Sequence, residues 1–306
     1  MAVEGAFDEA VKGVDGVAHV ASPTGDAHKP DPQATFPFGI RCAVGLLESA
    51  AMDPSVKSVV YTSSQAAAVM VEPGQAYHIT TESWNEKSKV AWTMPITENF
   101  RRGALNYMCA KTEAEQHSFK WVQEHKPHFT FNTILPNLTF GVAAKPETTG
   151  FVSTSALMRL LWQGNTLPTQ LFPPQYFIDV EDVALLHVAA LTQSDVNNER
   201  LIAMSYSFNW NEILDLFRKI APDHTFPEKI DNEVLDKGTV DNARAEELLK
   251  RVKSGKGFSV LEEVVKKWSV QMLRAEKEGN DWPLSMLENM AKVINELPPE
   301  QRTFFG

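Results

Sequence analysis

The sequence is short of several features that would place a protein in a class at once. Its two cysteines, Cys42 and Cys109, are too few for a disulfide framework. Its 29 Lys and Arg face 39 Asp and Glu, and the net charge of -10 argues against a nucleic-acid partner. No apolar run approaches the ~20 residues that cross a bilayer, and the acidic start MAVEGAFDEA lacks the apolar core of a signal peptide. These absences predict a cytoplasmic protein, without a membrane partner, that acts on a small molecule.

Strand-like and helix-like patterns alternate along the chain. A helix is predicted over 7–13, and apolar residues at helical spacing follow the first strand-like run. This βαβ rhythm predicts a parallel sheet covered by helices. Beyond residue 195 the pattern becomes mostly helical. The apolar runs expected to form buried strands are 16–22, 57–64, 129–135 and 176–180.

Chemistry is expected where the strands end, because open α/β sheets bind ligands at the carboxyl ends of their strands. Ser63 and Ser64 end the run VVYTSS, and Tyr107 and Lys111 stand four residues apart, on one helix face. A nearby ammonium lowers the pKa of a phenol, while the neutral phenol still donates a proton. A serine hydroxyl can orient a carbonyl group. The set suits carbonyl chemistry, although Tyr-x-x-x-Lys alone is also the pattern of a half-buried aromatic beside a solvated lysine.

Six motifs together resemble those of the extended short-chain dehydrogenase/reductase family, also called the NAD-dependent epimerase/dehydratase family. The chain is most similar to its fungal aldehyde and ketone reductases and its dihydroflavonol-reductase-like members. The resemblance covers most of the sequence, and the ensemble is specific where each motif is not. The motifs are GVDGVAHVASP (13–23), VVYTSSQAA (59–67), YMCAK (107–111), ILPNLTFG (134–141), YFIDVEDVALLHVAAL (176–191) and FNWNEIL (208–214).

The resemblance implies an α/β fold with a Rossmann-like parallel sheet that lacks its first strands, beside a smaller, mostly helical substrate lobe. The partial dinucleotide-binding domain would comprise 1–145 and 176–192. The substrate lobe would comprise 146–175 and 193–273, and 274–306 would form a C-terminal helical extension. The implied activity is reduction of an aldehyde or ketone in secondary metabolism, with NADP, or alternatively NAD, as the cofactor.

The resemblance also assigns roles to residues. Tyr107 would be the catalytic acid, Lys111 would lower its pKa and hold the nicotinamide ribose, and Ser64 would polarise the carbonyl. The cofactor would be bordered by Ala21, Ser22, Pro23, Ser63, Pro136 and Leu138. A substrate pocket is predicted from Trp84, Trp92, Met94, Met158 and Tyr176, for which packing in the core is an equally open interpretation. No metal site is predicted.

One part of the family pattern is absent from the sequence. Family members open with a strand, a G-x-x-G-x-x-G turn and a helix, where backbone N–H groups receive the pyrophosphate. Gly13 and Gly16 precede a strand instead, and are interpreted as a turn. The run 16–22 is therefore expected to leave an open sheet edge, which invites association. An incomplete version of the gene is favoured; an edge covered by a partner or a homodimer, and a descendant that no longer uses the cofactor, are the alternatives.

Two other functions stay open. A cofactor-independent isomerase, cyclase or dehydratase would keep Ser64, Tyr107 and Lys111 for enolisation. A non-catalytic binding or regulatory protein would use its edge strand and tail helix for a partner. In the tail, Ser259 with Glu262 and Ser285 with Glu288 match the capping-box pattern. The second helix is expected to pack on the substrate lobe, with contact to a partner as the alternative.

Overall fold

The architecture is that of a computed structural model, which describes residues 1–22, 31–96 and 100–296. The strands are β1 (Gly16–His19), β2 (Ser58–Thr62), β3 (His78–Ile79), β4 (Thr130–Pro136), β5 (Leu138–Phe140), β6 (Gln175–Asp179), β7 (Arg200–Ala203), β8 (Tyr206–Phe208) and β9 (Thr239–Val240). The helices are α1 (Pro32–Met52), α2 (Phe100–His125), α3 (Pro146–Thr149), α4 (Ser155–Trp162), α5 (Leu167–Leu171), α6 (Val180–Thr192), α7 (Trp210–Ile220), α8 (Ala243–Val252), α9 (Leu261–Glu278) and α10 (Met286–Glu296). Two 3₁₀ segments span Gln65–Ala67 and Glu86–Trp92.

A four-stranded parallel sheet in the order β1-β2-β4-β7 organises the fold. Val59 of β2 packs with α1 and α2 on one face, and its neighbour Val60 packs with α6 and α8 on the other. Successive residues of a strand point to opposite faces, so two covered faces require an uninterrupted apolar run. The predicted parallel, helix-covered sheet is confirmed, but the prediction that the run 176–180 is one of its strands is wrong. That run forms β6 of the sheet β5-β6-β8, and the fourth strand of the parallel sheet is β7, in the part of the chain expected to be mostly helical. Among the described residues, no helix is long and apolar enough to cross a membrane.

β1 is the end strand of this sheet in the part of the chain that the structure describes. It has four residues rather than the predicted seven, and it is only partly covered. Val20, just beyond it, is 61% exposed. The open edge expected from the sequence is therefore present among the described residues.

The segment before β1 is a series of turns, so the prediction of a helix over 7–13 is wrong. Most of its hydrogen bonds join residues three apart, as from Asp8 N to Gly5 O (3.1 Å) and from Ala10 N to Phe7 O (2.9 Å). A run this short is marginal as a helix, and it ends at Gly13, whose φ of 69° breaks the helical path. The predicted turn at Gly13 is confirmed, and the Gly13 N–H donates to the Asp53 carboxylate at 3.0 Å.

A second layer surrounds an aromatic core beside the three-stranded sheet β5-β6-β8. Trp162, Phe217 and Trp268 are fully buried there. The Trp162 and Phe217 rings meet edge to face with centroids 5.0 Å apart, and the Phe217 and Trp268 rings stack at 5.6 Å. Large rings in offset or edge-to-face contact supply much of the stability of such a core.

The C-terminal helix α10 packs against α4. Packing on this part of the chain, rather than contact with a partner, was the first expectation for the helix. Arg159 Nη1 lies 3.1 Å from Glu288 Oε1, and both side chains are buried. The Ser285 and Glu288 capping box is confirmed: Glu288 Oε2 accepts from Ser285 N (2.8 Å), and Ser285 Oγ accepts from Glu288 N (3.3 Å). At Gly150 any Cβ would lie 2.0 Å from Pro283 O, so this close approach requires glycine.

The capping box predicted at Ser259 and Glu262 is wrong. The residue before α9 is Val260, and no side chain caps this helix. The Ser259 N–H donates instead to the Asp182 carboxylate at 2.7 Å. Asp182, which is distant in the sequence, therefore accepts the N–H that the local pattern assigned to Glu262.

Candidate active site

Ser64 and Tyr107 meet at the carboxyl end of β2. The strand ends at Thr62, and Ser64 is the N-cap of the 3₁₀ segment, where its Oγ accepts a hydrogen bond from Ala66 N at 3.2 Å. The Tyr107 phenol, half-buried on α2, is hydrogen-bonded to the Ser64 side chain. The structure thus brings together a hydroxyl and a phenol that are far apart in the sequence.

Lys111 lies one helical turn after Tyr107 and is 5% exposed. Its Nζ donates to the carbonyl oxygen of Thr62 at 3.0 Å and lies 5.4 Å from the centroid of the Tyr61 ring. Burial lowers the pKa of Lys111 to about 8, while the charge of Glu115 acts in the opposite direction. At neutral pH the amine is mostly charged, and it loses its proton within the range in which enzymes are assayed.

The Tyr107 phenol keeps its proton at neutral pH. Burial raises the pKa of Tyr107 above its ordinary value of 10, and the hydrogen bond with Ser64 lowers it in part. A protonated phenol next to a hydroxyl can donate to a substrate oxygen. This protonation state suits the reduction of a carbonyl group.

A narrow cleft opens between β1, α1 and α2 at the catalytic residues. Tyr107 and Lys111 line it together with His19, Ala21 and Ser22, so two of the residues predicted to border the cofactor face the catalytic pair. Its cavity volume is about 10 Å³, room for a single water molecule. Pro23, predicted with Ala21 and Ser22, lies outside the described residues.

His19 is buried at the carboxyl end of β1. Its ring lies 5.5 Å from that of Tyr61, centroid to centroid. Burial, and secondarily the charge of Lys111, lower the pKa of His19 to about 4. The imidazole is therefore neutral at pH 7 and adds no second positive charge to the cleft.

A buried ion pair lies behind these residues, and sequence reasoning missed it. Glu115 Oε1 accepts from Arg200 Nε (3.0 Å) and Thr133 Oγ1 (2.6 Å), and its Oε2 accepts from Arg200 Nη2 (3.2 Å) and Ser63 Oγ (2.7 Å). Ser63 is 2% exposed and its hydroxyl is bonded to this carboxylate, so its contact with the cofactor stays a prediction. The spacing Tyr107, Lys111, Glu115 on one helix face could have indicated the carboxylate.

The two remaining residues predicted to border the cofactor lie where β4 ends and β5 begins. Pro136 ends β4 and is half-buried. Leu138 begins β5, where its side chain is buried in the aromatic core. Their contact with a cofactor stays a prediction.

The five residues predicted for the substrate pocket are spread over the fold. Trp84 lies against the Arg200 guanidinium at 3.6 Å, and Trp92 packs edge to face on Phe36 at 4.7 Å. Met94 is exposed, whereas Met158 is fully buried in the aromatic core. The Tyr176 hydroxyl donates to Gly238 O at 3.4 Å. None of the five lines the narrow cleft in the described part of the chain, and their contact with a substrate stays a prediction.

The described residues fit the reacting end of a nicotinamide cofactor, but they offer no cradle for its phosphates. Ser64, Tyr107 and Lys111 supply the hydroxyl, phenol and ammonium that the reacting end needs. A helix N-terminus would attract phosphate, but that of α1, the helix after β1, already holds a carboxylate: Asp31 Oδ1 accepts from Gln33 N at 2.9 Å. No glycine-rich turn leads from a strand into a helix in the ranges described.

Similar proteins agree on the class of enzyme. Aldehyde reductase 2 of Sporidiobolus salmonicolor is 36% identical over 269 residues, which cover 87% of this chain and 77% of that protein. Ketoreductase adrE of Penicillium rubens is 36% identical over 267 residues, covering 84% and 75%. The crystal structure of yeast methylglyoxal/isovaleraldehyde reductase Gre2 complexed with NADPH has the same fold, with a TM-score of 0.72 at 23% identity over 90% of this chain and 82% of the other. No protein-family model matches the chain.

The fold and these likenesses define a class of NAD(P)-dependent oxidoreductases with a Rossmann-like sheet. Within that class, the chain belongs to the extended short-chain dehydrogenase/reductase family, alongside the fungal aldehyde and ketone reductases.

Proposed function

We propose that the protein reduces an aldehyde or ketone with NADPH and that Tyr107 donates the proton. The observation that carries the proposal is the Tyr107 phenol, hydrogen-bonded to Ser64 and one helical turn from the buried Lys111. The relatives named aldehyde reductase and ketoreductase support the reaction class, and the Gre2 structure supports NADPH as the cofactor.

Each of the three residues has a distinct task in this reaction. Tyr107 transfers its phenolic proton to the carbonyl oxygen as that oxygen gains negative charge. Ser64 donates a hydrogen bond to the same oxygen, which stabilises the developing charge. The task assigned to Lys111 is to stabilise the phenolate that remains, because an ammonium favours the charged form of a phenol. In the structure its Nζ donates to Thr62 O, and burial and the Ser64 hydrogen bond are what shift the pKa of Tyr107. When bound, NADPH supplies the hydride.

Lys111, Ala21 and Ser22 are the described residues best placed to hold the reacting end of the cofactor, because they line the cleft beside Tyr107. Pro136 and Leu138 are proposed to border the nicotinamide. Ser63 is proposed to act indirectly, through the Ser64 turn. For the substrate we propose contacts with Trp92, which packs in the same cluster as Tyr107, and with Trp84, Met94, Met158 and Tyr176 only after the surrounding side chains rearrange.

A titration with NADPH tests the proposal. Nucleotide fluorescence and the Tm are followed together in the wild type and in Lys111→Met, and oxidation of NADPH is then measured with a panel of aldehydes and ketones. Binding that weakens in Lys111→Met, with carbonyl-dependent oxidation of NADPH, is expected. A folded protein that neither binds nor oxidises NADPH would contradict the proposal, and conversion of a substrate by nucleotide-free protein would favour the isomerase, cyclase or dehydratase alternative.

The open edge of β1 carries a second part of the proposal. Two copies related by a twofold axis would pair their β1 strands antiparallel and so satisfy the exposed backbone groups. Asp15 bonds β2 through its carbonyl oxygen, so by alternation the N–H of Ala18 faces the open edge. Sedimentation of the wild type against Ala18→Pro, which removes that donor, tests this homodimer: a dimer that the substitution dissociates supports it, and a wild-type monomer contradicts it. A cytoplasmic location and a place in secondary metabolism stay expectations.

A further inference from the structure

Glu115 is a carboxylate with no solvent exposure, placed one helical turn after Lys111. Each of its oxygens accepts one hydrogen bond from Arg200 and one from a hydroxyl, those of Thr133 and Ser63. Burying a charge is costly unless it is paired and hydrogen-bonded, and here both conditions are met.

Arg200 connects the carboxylate to a loop beside the site. Its Nη1 donates to the carbonyl oxygens of Thr81 (2.7 Å) and Ser83 (2.6 Å), and its guanidinium lies against the ring of Trp84 at 3.6 Å. The planar guanidinium suits both the fork to a carboxylate and the stacking on an aromatic ring. The pair therefore joins α2, the end of β2, β4, β7 and the loop at 81–84.

Ser63 connects the carboxylate to the catalytic hydroxyl. Ser63 Oγ donates to Glu115 Oε2, and Ser63 N donates to Ile134 O at 2.8 Å. Ser64 is the next residue and is hydrogen-bonded to Tyr107. The serine side chain is short, so the Ser64 hydroxyl reaches Tyr107 only when its backbone is correctly placed. The bond from Ser63 to Glu115 fixes the backbone next to Ser64 and so the position of the catalytic pair.

We propose that Glu115, with Arg200 as its counter-ion, is a positioning residue of the active site, which holds the Ser63 and Ser64 turn in place and keeps the ammonium of Lys111 charged. This inference rests on the proposed function. In it, Glu115 acts through Ser63 and Lys111 and touches neither the substrate nor the cofactor.

The groups around Lys111 explain why Glu115 has this influence. His19 on β1, Tyr61 on β2 and Tyr107 on α2 are uncharged at pH 7, and Cys42 of α1 lines the same cleft. Burial disfavours the charged amine, and the carboxylate of Glu115 is the group that opposes it. Without that carboxylate the amine would lose its proton at a lower pH.

The test compares Glu115→Gln, which removes the charge at constant size, with Arg200→Gln, which leaves the carboxylate without its counter-ion. The pH profile of kcat/KM is measured together with the titration of the Lys111 Nζ in ¹⁵N-lysine-labelled protein, assigned as the resonance that is lost in Lys111→Arg. An adjacent charge moves a pKa by on the order of one unit or more. Glu115→Gln is therefore expected to lower two transitions by about one pH unit: the alkaline fall of kcat/KM and the titration midpoint of Lys111 Nζ. Arg200→Gln is expected to move them up.

Two further variants separate position from charge and from stability. Ser63→Ala keeps both charges and removes one bond, so kcat is expected to fall while the Lys111 titration stays unchanged. Glu288→Gln weakens another buried pair, with Arg159, outside the catalytic set, and is expected to lower the Tm with neither transition moved. If Glu115→Gln does not fold, Arg200→Gln and Ser63→Ala still provide the test.

The inference is overturned if the Lys111 titration is the same in the wild type and in the folded charge variants, or if it moves equally in Glu288→Gln. The titration of the Lys111 Nζ resonance can be measured without a cofactor. A wild type that titrates as expected but never oxidises NADPH would therefore defeat the proposed function and leave the effect of Glu115 on Lys111 intact.

Discussion

The ammonium of Lys111 donates a hydrogen bond of 3.0 Å to the carbonyl oxygen of Thr62, the last residue of β2. The Thr62 hydroxyl is bonded to His187 Nε2 at 2.7 Å, and His187 Nδ1 lies 2.8 Å from Val183 O. A carbonyl oxygen can only accept, so the proton resides on Nδ1 and Nε2 accepts from Thr62. Lys111 is thus held by a backbone atom whose own residue is anchored to α6.

The rate of carbonyl reduction is expected to fall as pH rises through about 8, because Lys111 loses its charge there. Lys111→Arg keeps a charge at every assay pH, so its remaining activity should not show this fall. A pH profile of kcat/KM between pH 6 and pH 10 measures the difference. Identical alkaline limbs in the two proteins would contradict the assignment.

Tyr107→Phe is expected to lower kcat by about 10²- to 10⁴-fold, the usual contribution of a positioned proton donor. The ring and its packing remain, so the Tm should change little. Steady-state kinetics and thermal unfolding measure the two effects. Tyr206→Phe, at an exposed tyrosine, is the matched control and should leave kcat unchanged; near wild-type turnover in Tyr107→Phe would refute the proton donor.

The buried His19 is expected to make the protein sensitive to acid. Its pKa is about 4 in the folded protein against 6.5 for the free side chain, so the unfolded chain binds the proton first and stability is lost as pH falls from about 6.5 to 4. The full effect is on the order of 3 kcal/mol. His19→Gln should flatten this decline in urea unfolding at pH 7 and pH 5.

The control for the acid sensitivity is His128→Gln, at an exposed histidine before β4. It should leave the decline close to that of the wild type. Equal declines in the wild type and in His19→Gln would show that other groups govern the acid sensitivity.

Glu288→Ala is expected to destabilise the protein by about 3 to 5 kcal/mol, because it leaves the buried guanidinium of Arg159 without its counter-ion. Urea unfolding measures the loss. Glu278→Ala, at the exposed carboxylate that pairs with Arg274, should have a far smaller effect. Similar losses in the two variants would show that the buried Arg159 and Glu288 pair is no more costly to break than an exposed pair.

The parallel sheet was predictable because apolar runs such as SVVY (58–61) leave few alternatives to a strand covered on both faces. The two errors have different causes, one local and one tertiary. Residues 7–13 form turns because the run is short and ends at Gly13 with positive φ. Ser259 and Glu262 match a capping box, but Asp182 takes the Ser259 N–H instead.

By itself, the sequence determined which residues share the catalytic face of α2, because a spacing of four on a helix places Tyr107 beside Lys111 whatever surrounds them. It also placed Ser64 at a strand end. Only the tertiary structure decided that Ser63 turns inward, that Lys111 is buried enough to lose its proton near pH 8, and that Arg200 pairs with Glu115 across 85 residues. Burial and long-range pairing depend on elements that meet only when the chain is folded, and no local spacing encodes them.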